Sequence, residues 1–200
     1  MATTKTPTTI TGRATARAVG ERLILPLPAE ASAQLPSRGQ VAMVGSLEDH
    51  ETETVLEPDG RKGHWISLDA QLAGTLGAAD GTSIAFTLTT AATWPEPEVP
   101  QDLGTALEQA DDVEHQWDSI TPMARWEWVR WVGATKNEST RAKRVDVSID
   151  KLRKGSKRPC CFDLASCTDP ELAKSGKLIG LEGAYPRFVD TGVFTLRALA

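Results

Sequence analysis

Two arginines have the type and setting to hold an anion. Arg125 projects into the apolar arc of a tryptophan-rich helix, between Val132 and Val129, and Arg141 flanks the apolar stripe of the helix that follows. A guanidinium inside an apolar layer needs a carboxylate or a group of carbonyls around it. One expectation is therefore an anion pocket between the two helices, closed by Trp128 or Trp131. The other is a structural ion pair of Arg125 with Asp118, Glu127 or Glu138. The thiols are Cys160, Cys161 and Cys167. Adjacent cysteines do not match the usual Cys-x2-Cys zinc pair, and His50, His64 and His115 lie far away in sequence, so no metal is expected. Cys160 and Cys161 read as small packing side chains or as reactive thiols, which Lys157 and Arg158 would favour as thiolates.

Charge offers two further candidates. Glu48, Asp49, Glu51 and Glu53, with Glu57 and Asp59 beyond them, cluster around one hairpin and make an acidic edge. Such an edge deters strand addition, or it docks a cationic partner. Lys143, Arg144, Lys151 and Lys154 lie opposite the apolar stripe of the second helix and make a basic surface that could meet nucleic acid. Residues 1–120 hold 7 basic and 18 acidic side chains, a net of −11, whereas 121–160 hold 11 and 4, a net of +7. This polarity fits attraction between the two halves as well as an anion site. No Gly-rich phosphate loop, nucleophile elbow, His-Glu-x-x-His or dinucleotide fingerprint occurs, so neither catalysis nor a cofactor is expected.

The elements that must position these groups follow from pattern. Thr121 is a natural N-cap and Pro122 fits the first helical position, where its missing N–H costs nothing. At about 100° per residue, Trp131, Ala124, Trp128, Val132, Val129, Gly133 and Trp126 share an arc wider than half the circumference, leaving only Glu127 and Arg130 outside it. A stripe that broad predicts a helix touching two layers and gluing an N-terminal domain to a C-terminal one. Asn137 can cap the second helix, Gly155 can stop it, and Ala142, Val145, Ile149 and Leu152 form its apolar stripe.

Upstream, strands are expected over 21–27, 41–47, 52–56, 64–68 and 82–89, with short helices over 28–35 and from an Asp69 cap to Leu76. Leu25-Pro-Leu-Pro28 through Gly39-Gln-Val41-Ala-Met43 corresponds in type to Ile66-Ser-Leu-Asp69 through Gly81-Thr-Ser-Ile84-Ala-Phe86, displaced by 41 to 43 positions. Each copy is strand, helical turn, glycine turn, strand, a unit that needs the other to close its core. Such units resemble those of the AbrB-like double-split barrels.

The expected class is α+β, a small double-split-type β-barrel followed by an α-helical domain. Its boundaries are a disordered tail at 1–19, the barrel at 20–93, a proline-stiffened linker at 94–101, the helical domain at 102–160 and a C-terminal extension at 161–200. In the extension, a short helix from Asp169-Pro170 to Ala173 and strands over 188–190 and 193–196 are expected. No run of about 18 apolar residues could span a membrane, and with no signal core the expected compartment is the cytoplasm.

The capped Trp-rich helix, then Lys136-Asn137-Glu138-Ser139-Thr140-Arg141-Ala142-Lys143-Arg144, then Leu152-Arg153-Lys154-Gly155 and Arg158-Pro159-Cys160-Cys161-Phe162, resembles the YdeI/OmpD-associated (bacteriocin-protection) family of bacteria. The upstream half resembles the domain of unknown function that often precedes that region. The resemblance implies a bacterial cytoplasmic protein connected with stress tolerance or protection from bacteriocins and cationic antimicrobial peptides. On that basis a non-enzymatic binding or adaptor protein is expected, its partner a cationic peptide or another protein. Nucleic-acid binding through the barrel or the basic helix face is the alternative, and a thiol- or anion-using enzyme the third.

Overall fold

Thr9–Thr15 forms a strand, where a disordered tail was expected. Its alternation buries Ile10 and Ala14 on one side and leaves threonines, good strand formers, on the other. The computed structural model describes residues 6–159 and 168–181. After β1 (Thr9–Thr15) come β2 (Arg17–Val19), β3 (Arg22–Pro26), α1 (Ala29–Gln34), β4 (Val41–Leu47), β5 (His50–Pro58), β6 (His64–Leu68), α2 (Ala70–Leu76) and β7 (Ser83–Thr90). The helices α3 (Gln101–Glu108), α4 (Asp111–Ser119), α5 (Pro122–Gly133) and α6 (Glu138–Arg153) follow, then the two-residue strands β8 (Ala173–Lys174) and β9 (Lys177–Leu178). The fold is α+β, a curled, half-barrel antiparallel sheet followed by helices.

The seven strands run in the order β1-β7-β4-β5-β6-β3-β2. The sequence repeat reappears in the pairing. β3-α1-β4 and β6-α2-β7 are the two copies, β3 pairs with β6, and β4 pairs with β7. Leu25 lies opposite its own counterpart Ile66, and Gly45 opposite its counterpart Leu88. Counterparts that face each other are what a local two-fold axis requires. Gly45 is fixed by this crossing, since a Cβ there would lie 2.0 Å from the Thr87 carbonyl oxygen. Inside the curl, Leu25, Leu27, Met43, Leu56, Ile66, Ile84, Phe86 and Leu88 form one apolar core.

The α5 cap is as expected, with the Thr121 hydroxyl accepting from the Ala124 N–H at 3.3 Å. Asn137 caps α6 through the Thr140 N–H at 2.9 Å, and Gly155 stops it at φ +79°. α4 opens at Asp111, but Ala110 occupies its N-cap and no side chain caps it. No residue from Pro122 to Thr135 is exposed. Ala124, Trp128 and Val132 are buried against α3, α4 and α6, and Trp128 and Trp131 meet edge to face at 6.2 Å. Glu127 and Arg130, the two residues left outside the arc, keep only 11% and 12% of their side-chain surface. On α6 the buried stripe is Val145, Ser148 and Leu152, and Ala142 is exposed.

The expected helix through Ala173 is instead a hairpin, because Ser175 (φ +51°) and Gly176 (φ +72°) turn the chain back at once. Leu172, Leu178 and Leu181 then close over Val19, Ile24 and Trp65. The strands expected over 188–190 and 193–196 lie outside the described residues.

Candidate functional site

A cleft of about 880 Å³ opens between sheet, helices and hairpin, within the size range of ligand sites. One wall is a single stripe of α5, namely Trp126, Val129, Arg130 and Gly133 at helical spacing. Glu57, Trp65 and Ser67 come from the sheet, and Asp169 and Glu171 from the segment before β8. Each indole N–H is already used by a proline carbonyl, Trp65 on Pro58 at 3.3 Å and Trp126 on Pro95 at 2.8 Å. What Trp65 and Trp126 offer the cleft is therefore apolar ring surface.

At the inner end of the cleft, Arg130 Nη2 lies 2.5 Å from Glu57 Oε2, and Gln40 donates to Glu57 Oε1 at 2.7 Å. Burial pushes the Glu57 carboxyl above the usual glutamate range, against the opposing pull of Arg130 and Gln40. Arg22 is held by Asp169 at 3.1 Å and donates to the Ser67 hydroxyl at 3.2 Å. Arg141 forks onto Asp102 at 2.6 and 2.8 Å, and its hydrogen bond holds that carboxyl below the usual range. Glu98 and Lys136 also line the cleft, at its exposed rim.

The arginines singled out by sequence do not share a pocket. Arg125 pairs with Glu96 at 2.6 Å and donates to the Trp117 carbonyl at 3.1 Å, so its partners differ from Asp118, Glu127 and Glu138. Arg141 reaches the cleft, whereas Arg125, Trp128 and Trp131 do not line it. Trp128 is fully buried with its N–H on the Lys157 carbonyl at 3.2 Å. Of the basic surface, Arg144 folds inward, 5.4 Å from the Trp131 ring centre and bonded to the Trp131 carbonyl at 2.6 Å. Lys154 pairs with Asp150 at 2.7 Å, leaving Lys143 and Lys151 without a partner among the described residues. Cys160 and Cys161 lie outside the described residues.

The acidic edge divides by role. Glu48, at φ +48° in the β4–β5 turn, holds Arg13 and accepts the Ala85 N–H at 2.7 Å. Asp49 sits beside it, exposed. Glu51 and Glu53 are exposed, share one face of β5 and have no partner among the described residues. Opposite Glu53 stands Val44, 38% exposed. β5 pairs with β4 over residues 50–56 and with β6 only at Glu57 and Pro58, so residues 50–56 have no partner strand on their other edge among the described residues. That edge ends in the cleft, at Glu57.

The sequence placed Glu57 only at the far end of the acidic edge and did not mark Arg130, Trp65 or Trp126 as site residues. No local signal marks the ion pair, whose members lie 73 positions apart in the chain. His64 is fully buried with Nε2 on the Gly39 carbonyl at 3.0 Å. Among the described residues no group of three or more His, Cys, Asp or Glu is arranged to hold a metal, and no helix is long and apolar enough to cross a membrane.

Comparison with known proteins agrees with the division into sheet and helices. Residues 96–155 match the family model described as Bacteriocin-protection, YdeI or OmpD-Associated, and residues 13–88 match Domain of unknown function (DUF1905). No curated protein matches the chain.

Proposed function

We propose, from the match of residues 96–155 to the bacteriocin-protection, YdeI or OmpD-associated family model, that the chain is a non-catalytic binding protein for an extended cationic peptide. The observation that carries the reading is the open edge of β5. A peptide laid along residues 50–56 finds an edge with no partner strand among the described residues for strand addition, and the carboxylates of Glu51 and Glu53 for basic side chains on one face. The cleft beyond Glu57, with the ring surfaces of Trp65 and Trp126 and carboxylates at its rim, takes the end of the peptide. Sequestering such a peptide in the cytoplasm is the protective act.

The test is fluorescence anisotropy of a labelled ten-residue peptide of alternating lysine and valine, titrated with the full chain. Glu51→Lys combined with Glu53→Lys abolishes binding at low salt, and Lys143→Gln with Lys151→Gln leaves it unchanged. Equal binding by the charge-reversed and wild-type chains ends the reading.

A further inference from the structure

Three turns that are distant in sequence meet at one place on the sheet domain. Arg38, after α1, donates to the Lys62 carbonyl at 3.1 Å. Gly60, in the turn after β5, packs so closely on the β8–β9 hairpin that a Cβ there would lie 2.0 Å from the Gly176 carbonyl oxygen. The Leu178 N–H donates to the Asp59 carbonyl at 3.0 Å. These contacts bring together Arg38, Arg61, Lys62, Lys174 and Lys177, all exposed, around the buried Asp59, whose Oδ1 accepts the Arg61 and Gly63 N–H groups.

The arrangement carries two local costs. Lys174 and Lys177 stand directly opposite each other in the hairpin register, where like charges repel. Lys62 adopts φ +76°, a left-handed conformation that favours glycine. Three of the five, Arg38, Arg61 and Lys62, are cations of the acidic part of the chain, residues 1–120.

We propose that this convergence of turns is a binding site for a compact, soluble polyanion of the oligophosphate class. A compact ligand is favoured because charges beyond about 8–10 Å are screened at physiological salt, so it senses the five cations more than the acidic surroundings. An extended nucleic acid would run over those acidic neighbours. A bilayer surface is disfavoured because the only exposed large apolar side chain among the described residues, Val44, lies on β4 and not in these turns. The site is independent of the peptide edge and stands or falls without it.

Isothermal titration calorimetry of the full chain with sodium tripolyphosphate, at low and at physiological salt, tests the assignment. Binding is expected at both, weaker at the higher salt. Lys62→Gln with Lys177→Gln weakens it at least tenfold, whereas Lys143→Gln with Lys151→Gln on α6 does not alter it. Circular dichroism melts show whether each variant is folded. Lys174→Gln, which removes the facing pair, raises the melting temperature of the ligand-free chain and narrows the rise that tripolyphosphate produces. Failure of wild type to bind, equal weakening by the α6 variant, or binding only to phosphatidylglycerol vesicles would each overturn the proposal.

Discussion

Arg130 of α5 meets Glu57 of β5 at 2.5 Å, with only 12% and 14% of the two side chains exposed, and so ties helix to sheet through an almost dry ion pair. The two ends of such a pair are not equivalent to remove. Arg130→Ala leaves a buried carboxylate without its cation and should cost about 3–5 kcal/mol. Glu57→Gln keeps an oxygen for Arg130 and avoids burying an anion, so it should cost much less. Urea unfolding of both variants checks the asymmetry; equal losses would mean that the pair is solvated and the cleft open to its inner end.

The same carboxyl sets a pH signature. Burial raises the Glu57 pKa in the fold, with Asp169 adding to the rise and Arg130 and Gln40 opposing it. A raised folded value means the protonated form favours the fold, an advantage complete below the unfolded value and lost as pH rises through the folded one. Stability of Glu57→Gln relative to wild type should therefore grow with pH across the window above the ordinary glutamate value and level off beyond it. Asp102, held low by Arg141, acts in the opposite sense, with stability present above its unfolded value and lost as pH falls through its folded one. Thermal melts across the pH range should show a flatter acid limb for Asp102→Asn.

Trp128 and Trp126 should respond differently although they sit two residues apart. Trp128 is fully buried among Ala124, Val113 and Leu152, and its replacement by alanine should cost about 3–5 kcal/mol. Trp126 is half-buried and faces the cleft, so Trp126→Leu should unfold at close to the wild-type midpoint while weakening peptide binding. Chemical denaturation and the anisotropy titration separate the two effects.

How much of this was legible depended on the range over which each constraint acts. The Thr121 and Asn137 caps and the Gly155 stop rest on residues within a few positions of each other, and sequence specified them. The repeat was legible because both copies preserve apolar type at matching places, and facing counterparts such as Leu25 and Ile66 follow from it. Residues 9–15 read as a tail because threonine alternating with Ile10 and Ala14 gives a faint period, which becomes a strand only when β7 supplies a partner. The cleft was not legible. Glu57 with Arg130, and Arg38 with Lys62 and Lys177, are brought together by the curl of the sheet and by a hairpin that the chain reaches more than a hundred residues later.

That hairpin is seated on the sheet at Gly60 as well as through its apolar contacts. At φ +71° and with the Gly176 carbonyl in the space a side chain would need, Gly60 can accept neither a Cβ nor a shift of its neighbour without breaking the bond from the Leu178 N–H to the Asp59 carbonyl. Gly60→Ala should therefore cost well over about 1 kcal/mol and act locally, freeing Leu172 and Leu178 from Trp65 while leaving the inner core of Met43, Ile66 and Leu88 in place. Hydrogen exchange distinguishes this from general destabilisation. Amides of residues 172–179 should lose protection while those of β4 and β7 keep it, and uniform loss across both would show that hairpin and sheet unfold as one unit.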